Sequence, residues 1–276
     1  MNTNCTRFQD LRVSRTMRLP LMTLLLAAFA AVSSSGGNLI TNSQFATATG
    51  FSPDLDFEGS SDLSNWSTIG SSTSALDCVV NPSTSVGSNG LCGSFAFSPT
   101  LALYNPPTST PTKGNYVLID ADSADEVALQ QKLTGLTVGT TYQVRFYQAA
   151  GEQTGFGTAG NNASVQWQVC FETTAAAACN QANTPGTNVK DSAVMTFPEN
   201  DGLLSATSWQ VQTVTFKATA ATQYLSFFAL GPSGAPPMAL LTDVEMTALP
   251  EPGTLAMFGM GAAMFLGAYR VRRVRK

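Results

Sequence analysis

Strand periodicity runs through nearly all of residues 38–249, and this pattern constrains the fold more than any other feature of the chain. In one stretch, Val165, Trp167, Val169 and Phe171 alternate with Ser, Gln and Cys residues. A period of two places such residues on one face of a half-buried strand. Clusters of Gly, Pro, Asn, Ser and Thr separate the alternating runs, and no segment shows a convincing amphipathic-helix pattern. The sequence therefore predicts an all-β fold, a single antiparallel β-sandwich of about 210 residues.

The N-terminal residues 1–35 have the order of a secretory signal peptide. Residues 1–18 are basic, residues 19–32 form an apolar run of 14 residues, and small residues follow it. A core helix would not combine flanking arginines with a small-residue exit, so cleavage is expected near Ser33–Ser35. The sequence predicts export by the general secretion machinery.

The C-terminal region reads as a membrane segment with a basic stop. Residues 253–269 are 17 uncharged residues, at the lower limit for a transmembrane helix. A basic tail follows, formed by Arg270, Arg272, Arg273, Arg275 and Lys276. The positive-inside rule keeps this tail in the cytoplasm, and the basic N-terminal region agrees with that orientation. We therefore expect residues 36–248 to lie outside the cell, attached to the membrane through the C-terminal helix.

A tripeptide precedes that helix, Pro250-Glu251-Pro252. The motif, the short helix and the basic end together resemble the PEP-CTERM sorting signal, over residues 249–276. The two prolines keep the segment extended, as suits a protease substrate. The resemblance implies that an exosortase cuts near the motif and that the protein then reaches the cell surface or the extracellular matrix. It also implies a link to exopolysaccharide production and biofilm.

A second resemblance covers most of the middle. Residues 38–45 followed by Trp66, the stretch 129–146, and residues 208–216 with 241–244 look like the first, central and last strands of galactose-binding-like domains. These domains are jelly-roll sandwiches that recur in carbohydrate-binding modules. The resemblance implies a jelly-roll-like fold and a polysaccharide ligand. Five aromatic residues are candidate sugar platforms or core residues: Trp66, Tyr104, Tyr147, Phe156 and Trp209.

Charge and composition exclude several function classes. Residues 37–249 hold 5 basic and 16 acidic residues, a net charge of −11, which repels nucleic acid. The chain has no histidine, so histidine-dependent nucleophiles and His-ligated zinc are excluded. No pair of acids sits in a recognisable catalytic motif. We expect a non-enzymatic structural or carbohydrate-binding protein; the alternative is a secreted carbohydrate-active hydrolase with paired carboxylates.

Four cysteines follow the signal peptide, and an even number in an exported chain predicts disulfides. Three pairings are open, and we favour Cys78–Cys92 and Cys170–Cys179, because each pair brackets a turn-rich loop. No CxxC spacing is present.

An acidic run supplies the candidate metal ligands Asp120, Asp122 and Asp125. Their spacing offers oxygen ligands to calcium, although the glycine and distal glutamate of an EF-hand loop are missing. A second acidic stretch is formed by Asp54, Asp56, Glu58 and Asp62. The alternative for each set is a solvated loop, and no other cofactor is expected.

Overall fold

The computed structural model describes residues 37–46, 63–70, 77–82, 103, 105–123, 127–152, 164–175, 179–180, 182–196, 206–232, 237–250 and 261. The predicted signal peptide and nearly all of the predicted C-terminal helix lie outside these residues. No helix in the described part of the chain is long and apolar enough to cross a membrane.

Two antiparallel sheets contain all the strands of the described residues. The six-stranded sheet has the order β1 (Ser67–Gly70), β4 (Val127–Thr134), β10 (Thr222–Leu230), β6 (Ser164–Glu172) and β7 (Val189–Asp191), and β8 (Met195–Thr196) also pairs with β6. The five-stranded sheet has the order β2 (Asp77–Val80), β3 (Tyr116–Asp120), β11 (Pro237–Ala248), β5 (Thr141–Glu152) and β9 (Gln210–Lys217). The chain changes sheet at each step from β3 to β6 and from β9 to β11. This is a jelly-roll-like antiparallel sandwich, and the predicted fold class is confirmed.

The central core lies between the two sheets and is rich in aromatic rings. The Phe227 ring makes edge-on contacts with Phe146 at 5.2 Å and with Trp167 at 6.2 Å between centroids. The Trp167 indole donates to the carbonyl of Leu240 at 3.2 Å, so its polar atom is satisfied inside the core. The alternation read from the sequence of β6 therefore points Val165, Trp167, Val169 and Phe171 into the core.

The predicted opening motif, residues 38–45 with Trp66, anchors the start of the domain to β11 and to the core. The Asn38 carboxamide accepts from the backbone of Ile40 and Met246, which fixes the N-terminal segment beside β11. Phe45 is fully buried and packs on Trp66 at 5.4 Å between ring centroids. Phe45 and Trp66, two residues on which the resemblance to galactose-binding-like domains depends, are therefore core residues of this fold.

One end of the five-stranded sheet is buried on both faces. Here every second residue of β2, β3, β5 and β11 points away from the central core into a further apolar cluster. We call this the outer cluster; it contains Cys78, Val80, Leu103, Tyr116, Leu118, Ala149, Met238 and Leu240, with Trp209 packed against it. Trp209 meets Tyr116 edge-on at 5.6 Å, and its indole donates to the Ser109 carbonyl at 2.9 Å. The segments that carry Leu103, Ser109 and Trp209 thus cover this half of the sheet.

The outer face of the six-stranded sheet carries the Cys170–Cys179 disulfide. The two Cα atoms are 5.6 Å apart, and both cysteines are buried in a small cluster with Ala128, Val189 and Phe228. The predicted local pairing is confirmed for this bond. It fastens the loop after β6 back onto the sheet.

Candidate functional site

The other half of the five-stranded sheet's outer face is open to solvent. Along β5, Val144 and Phe146 are buried while Gln143, Arg145 and Tyr147 are partly exposed, as period-two alternation requires. Tyr147 pairs with Val211 of β9, and Arg145 pairs with Thr213 of β9 and Glu245 of β11. We call this surface the exposed face; it comprises Gln143, Arg145, Tyr147, Val211, Thr213, Thr215 and Glu245.

Arg145 organises the centre of the exposed face. Its guanidinium carbon lies 4.8 Å from the centroid of the Tyr147 ring, and Nη2 donates to the Tyr147 hydroxyl at 2.6 Å. Its other terminal nitrogen lies 3.5 Å from a carboxylate oxygen of Glu245. Such an exposed ion pair adds at most about 1 kcal/mol to stability. Its main effect is to hold a ring, a planar cation and a carboxylate in one orientation.

Apolar surface borders this polar group. Val211, directly opposite Tyr147, is 50% exposed. Thr213 and Thr215 continue the same row of β9 and are also exposed. The exposed face therefore combines a small apolar area with side-chain hydrogen-bond donors and acceptors.

A bulge in β11 places a buried carboxylate beside this surface. The register of β11 against β5 shifts between Thr242 and Glu245, and Asp243 adopts a positive φ of 53° within the bulge. One Asp243 oxygen accepts from the Thr112 hydroxyl; the other is buried without a partner among the described residues. Burial raises the pKa of Asp243 above its ordinary value and Glu245 adds to the rise, while the Thr112 hydrogen bond and Arg145 lower it.

The candidate aromatic platforms divide between core and surface. Trp66 is buried in the core, whereas Trp209 is partly exposed and packs over the outer cluster. Tyr147 is part of the exposed face. Tyr104 and Phe156 lie outside the described residues.

The candidate calcium ligands are only partly described. Asp120 ends β3 and is buried, and one of its carboxylate oxygens accepts from the backbone of Asp122 at 2.8 Å. This bond gives Asp120 a role in ending the strand. Asp125 and the second acidic set lie outside the described residues, within which no group of three potential metal-ligating side chains occurs. A calcium site thus stays a prediction.

The carboxylates with raised pKa values lie at separate strand ends. Burial raises the pKa of Glu152 at the end of β5, Glu172 at the end of β6 and Asp191 in β7. Hydrogen bonds from Asn188 to Glu172 and from Gln168 to Asp191 oppose the rise. Each of these two acids therefore has a local structural partner, which does not favour a hydrolytic role.

The remaining predicted site residues are described in part. Cys78 is disulfide-bonded, whereas Cys92 lies outside the described residues, so their pairing stays a prediction. β11 ends at Ala248, and Pro250 is exposed immediately after it. Glu251, Pro252 and the basic tail lie outside the described residues, and the sorting motif likewise stays a prediction.

No protein-family model matches the chain, and no curated protein matches it. Solved structures give distant likenesses. The Stig cyclase Fisc from Fischerella sp. TAU is 13% identical, with 79% of this chain and 99% of that chain covered and a TM-score of 0.41. TmCBM61, solved in complex with beta-1,4-galactotriose, is 13% identical, with 78% and 100% covered and a TM-score of 0.36.

The enzymatically active domain of bacteriophage CBA120 tailspike protein 4 is 10% identical over 77% of this chain, with a TM-score of 0.38. This chain spans about a fifth of that protein, 21% of its length. Likenesses as distant as these establish no ligand, activity or partner, because one fold hosts many functions. The strand pairings define the class, a jelly-roll-like β-sandwich, and the exposed face must be judged from its own residues.

Sequence reasoning named Tyr147 but missed its partners. The alternation of Tyr142, Val144 and Phe146 already placed Arg145 and Tyr147 on one outward face of a strand. Glu245 could not be placed because the bulge in β11 changes the register two residues earlier. The available sequence signal for this group was the spacing of Arg145 and Tyr147, two residues apart in one strand.

Proposed function

We propose that the protein is an exported surface or matrix protein whose sandwich binds a polysaccharide on the exposed face. The observation that carries the proposal is the Arg145–Tyr147–Glu245 group, held open to solvent beside an exposed valine. The net charge of −11 over residues 37–249 disfavours anionic partners and is compatible with a neutral glycan.

The chemistry of the group suits a saccharide. One face of a sugar ring is lined by C–H bonds and can lie against the Tyr147 ring or the side chain of Val211. Arg145 donates to ring and hydroxyl oxygens, and Glu245 accepts from hydroxyl groups. Because the ion pair fixes both side chains before binding, little conformational entropy is lost on contact.

The alternative, a hydrolase with paired carboxylates, has no specific observation in its favour among the described residues. Glu245 is ion-paired with Arg145, and Asp243 is buried. A general acid and its partner would have to face one another across an accessible cleft. We therefore propose binding without turnover.

Affinity measurements with soluble and insoluble polysaccharides test the proposal. Tyr147→Ala should weaken binding about tenfold or more, as expected for a rigid aromatic anchor. Tyr147→Phe should retain most of the affinity, since the ring remains. Val138→Ala, in the exposed turn between β4 and β5 and outside the exposed face, is the matched control and should bind like wild type. Unchanged binding by Tyr147→Ala, or release of reducing sugar on incubation, would contradict the proposal.

We further propose that residues 249–276 act as a temporary membrane hold that exosortase removes. The Pro-Glu-Pro motif, the marginal 17-residue helix and the basic tail support this proposal. Glu251→Ala should leave residues 253–276 attached and retain the protein in the membrane fraction. If wild-type protein released from the membrane still carries Arg273 by mass spectrometry, the tail is an ordinary anchor.

A further inference from the structure

The strand β9 forms one edge of the five-stranded sheet and differs from the other sheet edges. The edge strands β1, β2 and β7 have four, four and three residues. β9 has eight residues, and within the described part of the chain it pairs with β5 alone. A long edge strand presents a row of backbone donors and acceptors that can pair with another strand.

β9 also lacks the features that usually protect an edge. Its sequence, QVQTVTFK, contains no proline and no acidic residue, and its single charge is Lys217 at the end of the strand. Its register against β5 is continuous from Thr141↔Lys217 to Gln148↔Gln210, without a bulge. Natural sheets normally interrupt such an edge with a charge, a proline, a bulge or a covering segment.

Two strongly exposed apolar side chains lie in or beside this edge strand. Three large hydrophobic residues are strongly exposed among the described residues: Val138, Val194 and Val211. Val211 belongs to β9 itself. Val194 lies close by, because the backbone of Ala193 donates to the Gln212 side chain at 3.1 Å. Val211 lies on the outer face of the sheet and the Ala193–Val194 segment on its inner side, so an apolar side chain flanks the β9 edge on either face.

We propose that β9 pairs antiparallel with β9 of a second copy of this chain, joining two five-stranded sheets into one continuous sheet. The strand is suited to pairing with itself. In the registers centred on Thr213 or Val214, threonines and valines of the outward row face one another or face Lys217, and no two like charges are opposed. The net negative charge of the domain lies elsewhere than on β9.

Two-fold pairing also limits the assembly to a dimer. The edge is used up when two copies meet, so the contact closes on itself and does not extend into a fibre. The two Tyr147 residues then lie on one sheet face, three strand spacings of about 4.8 Å apart across the sheet and offset by four or six residues along it, or about 20–25 Å apart in all. One glycan chain could contact both groups, which raises avidity without a new contact. The dimer itself does not depend on the proposed glycan binding.

Sedimentation velocity on the full chain in detergent tests the proposal. The variant Thr213→Lys/Thr215→Lys places lysines opposite lysines in either register. It should sediment as a monomer over concentrations at which wild type is dimeric, with self-association weakened at least tenfold. The matched control Thr137→Lys/Val138→Lys adds the same charge to an exposed turn and should remain dimeric. A monomeric wild type, a dimeric edge variant or open-ended assemblies would each overturn the proposal.

Cross-linking gives an answer that does not depend on folding of the lysine variant. An interchain disulfide should form under mild oxidation in Thr213→Cys alone if the register is centred on Thr213, or in a mixture of Thr213→Cys and Thr215→Cys chains if it is centred on Val214, because opposed Cα atoms lie about 5 Å apart. Val138→Cys carries the same additional thiol and should not cross-link above the wild-type level. Equal cross-linking by the edge and control variants would overturn the pairing.

Discussion

The two halves of the five-stranded sheet's outer face share the strands β5 and β11 but differ in what lies over them. On β5, Ala149 belongs to the outer cluster, while Tyr147, two residues earlier, is partly exposed. At the start of β9 the boundary falls between Trp209, which precedes the strand and covers the outer cluster, and Val211, which is 50% exposed. Strand alternation determines which side of the sheet a residue faces. Whether that side becomes core or surface depends on the segments that cross it.

The largest effect should come from the covered half. Leu118→Ala removes a fully buried side chain from the outer cluster and should lower the free energy of unfolding by about 2–5 kcal/mol. Tyr147→Ala, on the exposed half, should change it by about 0.5 kcal/mol or less, because the site is at the surface. Chemical denaturation of both variants measures the contrast. Equal losses would show that the exposed face is part of the packed core.

The opposite sheet offers a comparison of similar size. Replacing Cys170 and Cys179 by alanine opens a loop with a sequence separation of 9 and should lower the free energy of unfolding by about 2–3 kcal/mol in the chain-entropy model. Since the bond lies on the outer face of the six-stranded sheet, polysaccharide binding by the folded protein should not change. Calorimetry followed by a binding assay checks both halves of this expectation. A loss of affinity in the folded variant would indicate that the ligand binds the six-stranded sheet and not the exposed face.

The sequence was sufficient for the fold class and for one disulfide, and the reasons are local. Period-two alternation depends only on near neighbours, so the inward rows of β5 and β6 could be read directly. Cys170 and Cys179 close a short loop, so their pairing needed no long-range information. Trp209 and Tyr147 are both aromatic residues in or beside strands, and the sequence near each does not distinguish them. Trp209 packs over the outer cluster and Tyr147 stays at the surface because of where distant chain segments cross the sheet.

A smaller effect should follow from changing the cation of the exposed face. Arg145→Lys keeps the charge but loses the planar group that contacts the Tyr147 ring and hydroxyl. Affinity for polysaccharide should fall severalfold, roughly 0.5–1 kcal/mol, with stability unchanged. Isothermal titration at two ionic strengths measures this change. Wild-type affinity in the variant would show that Arg145 only fills space on the face.

The smallest effect concerns Asp243, a buried residue beside the exposed face. Its pKa is raised in the folded protein, mainly by burial, so the ionised carboxylate costs stability. That cost is absent below the unfolded-state pKa, grows as pH rises from the unfolded-state to the folded-state pKa, and is fully present above the folded-state pKa. Asp243→Asn keeps an acceptor for Thr112 and tolerates a positive φ, so it should stabilise the protein at neutral pH and flatten the pH dependence in the acidic range.

Denaturation curves of wild type and Asp243→Asn between about pH 4 and pH 7 provide the measurement. A lower stability of the variant at neutral pH would contradict this expectation. It would mean that the buried carboxylate oxygen of Asp243 has a stabilising partner in solution.

Amide hydrogen exchange with and without polysaccharide tests the division of the sheet most directly. The account predicts added protection in the strand segments of the exposed face, residues 143–147 of β5 and 211–215 of β9. It predicts no added protection in β2 and β3 beneath the outer cluster. Protection confined to β2 and β3, or to the six-stranded sheet, would contradict the assignment of the exposed face as the binding surface.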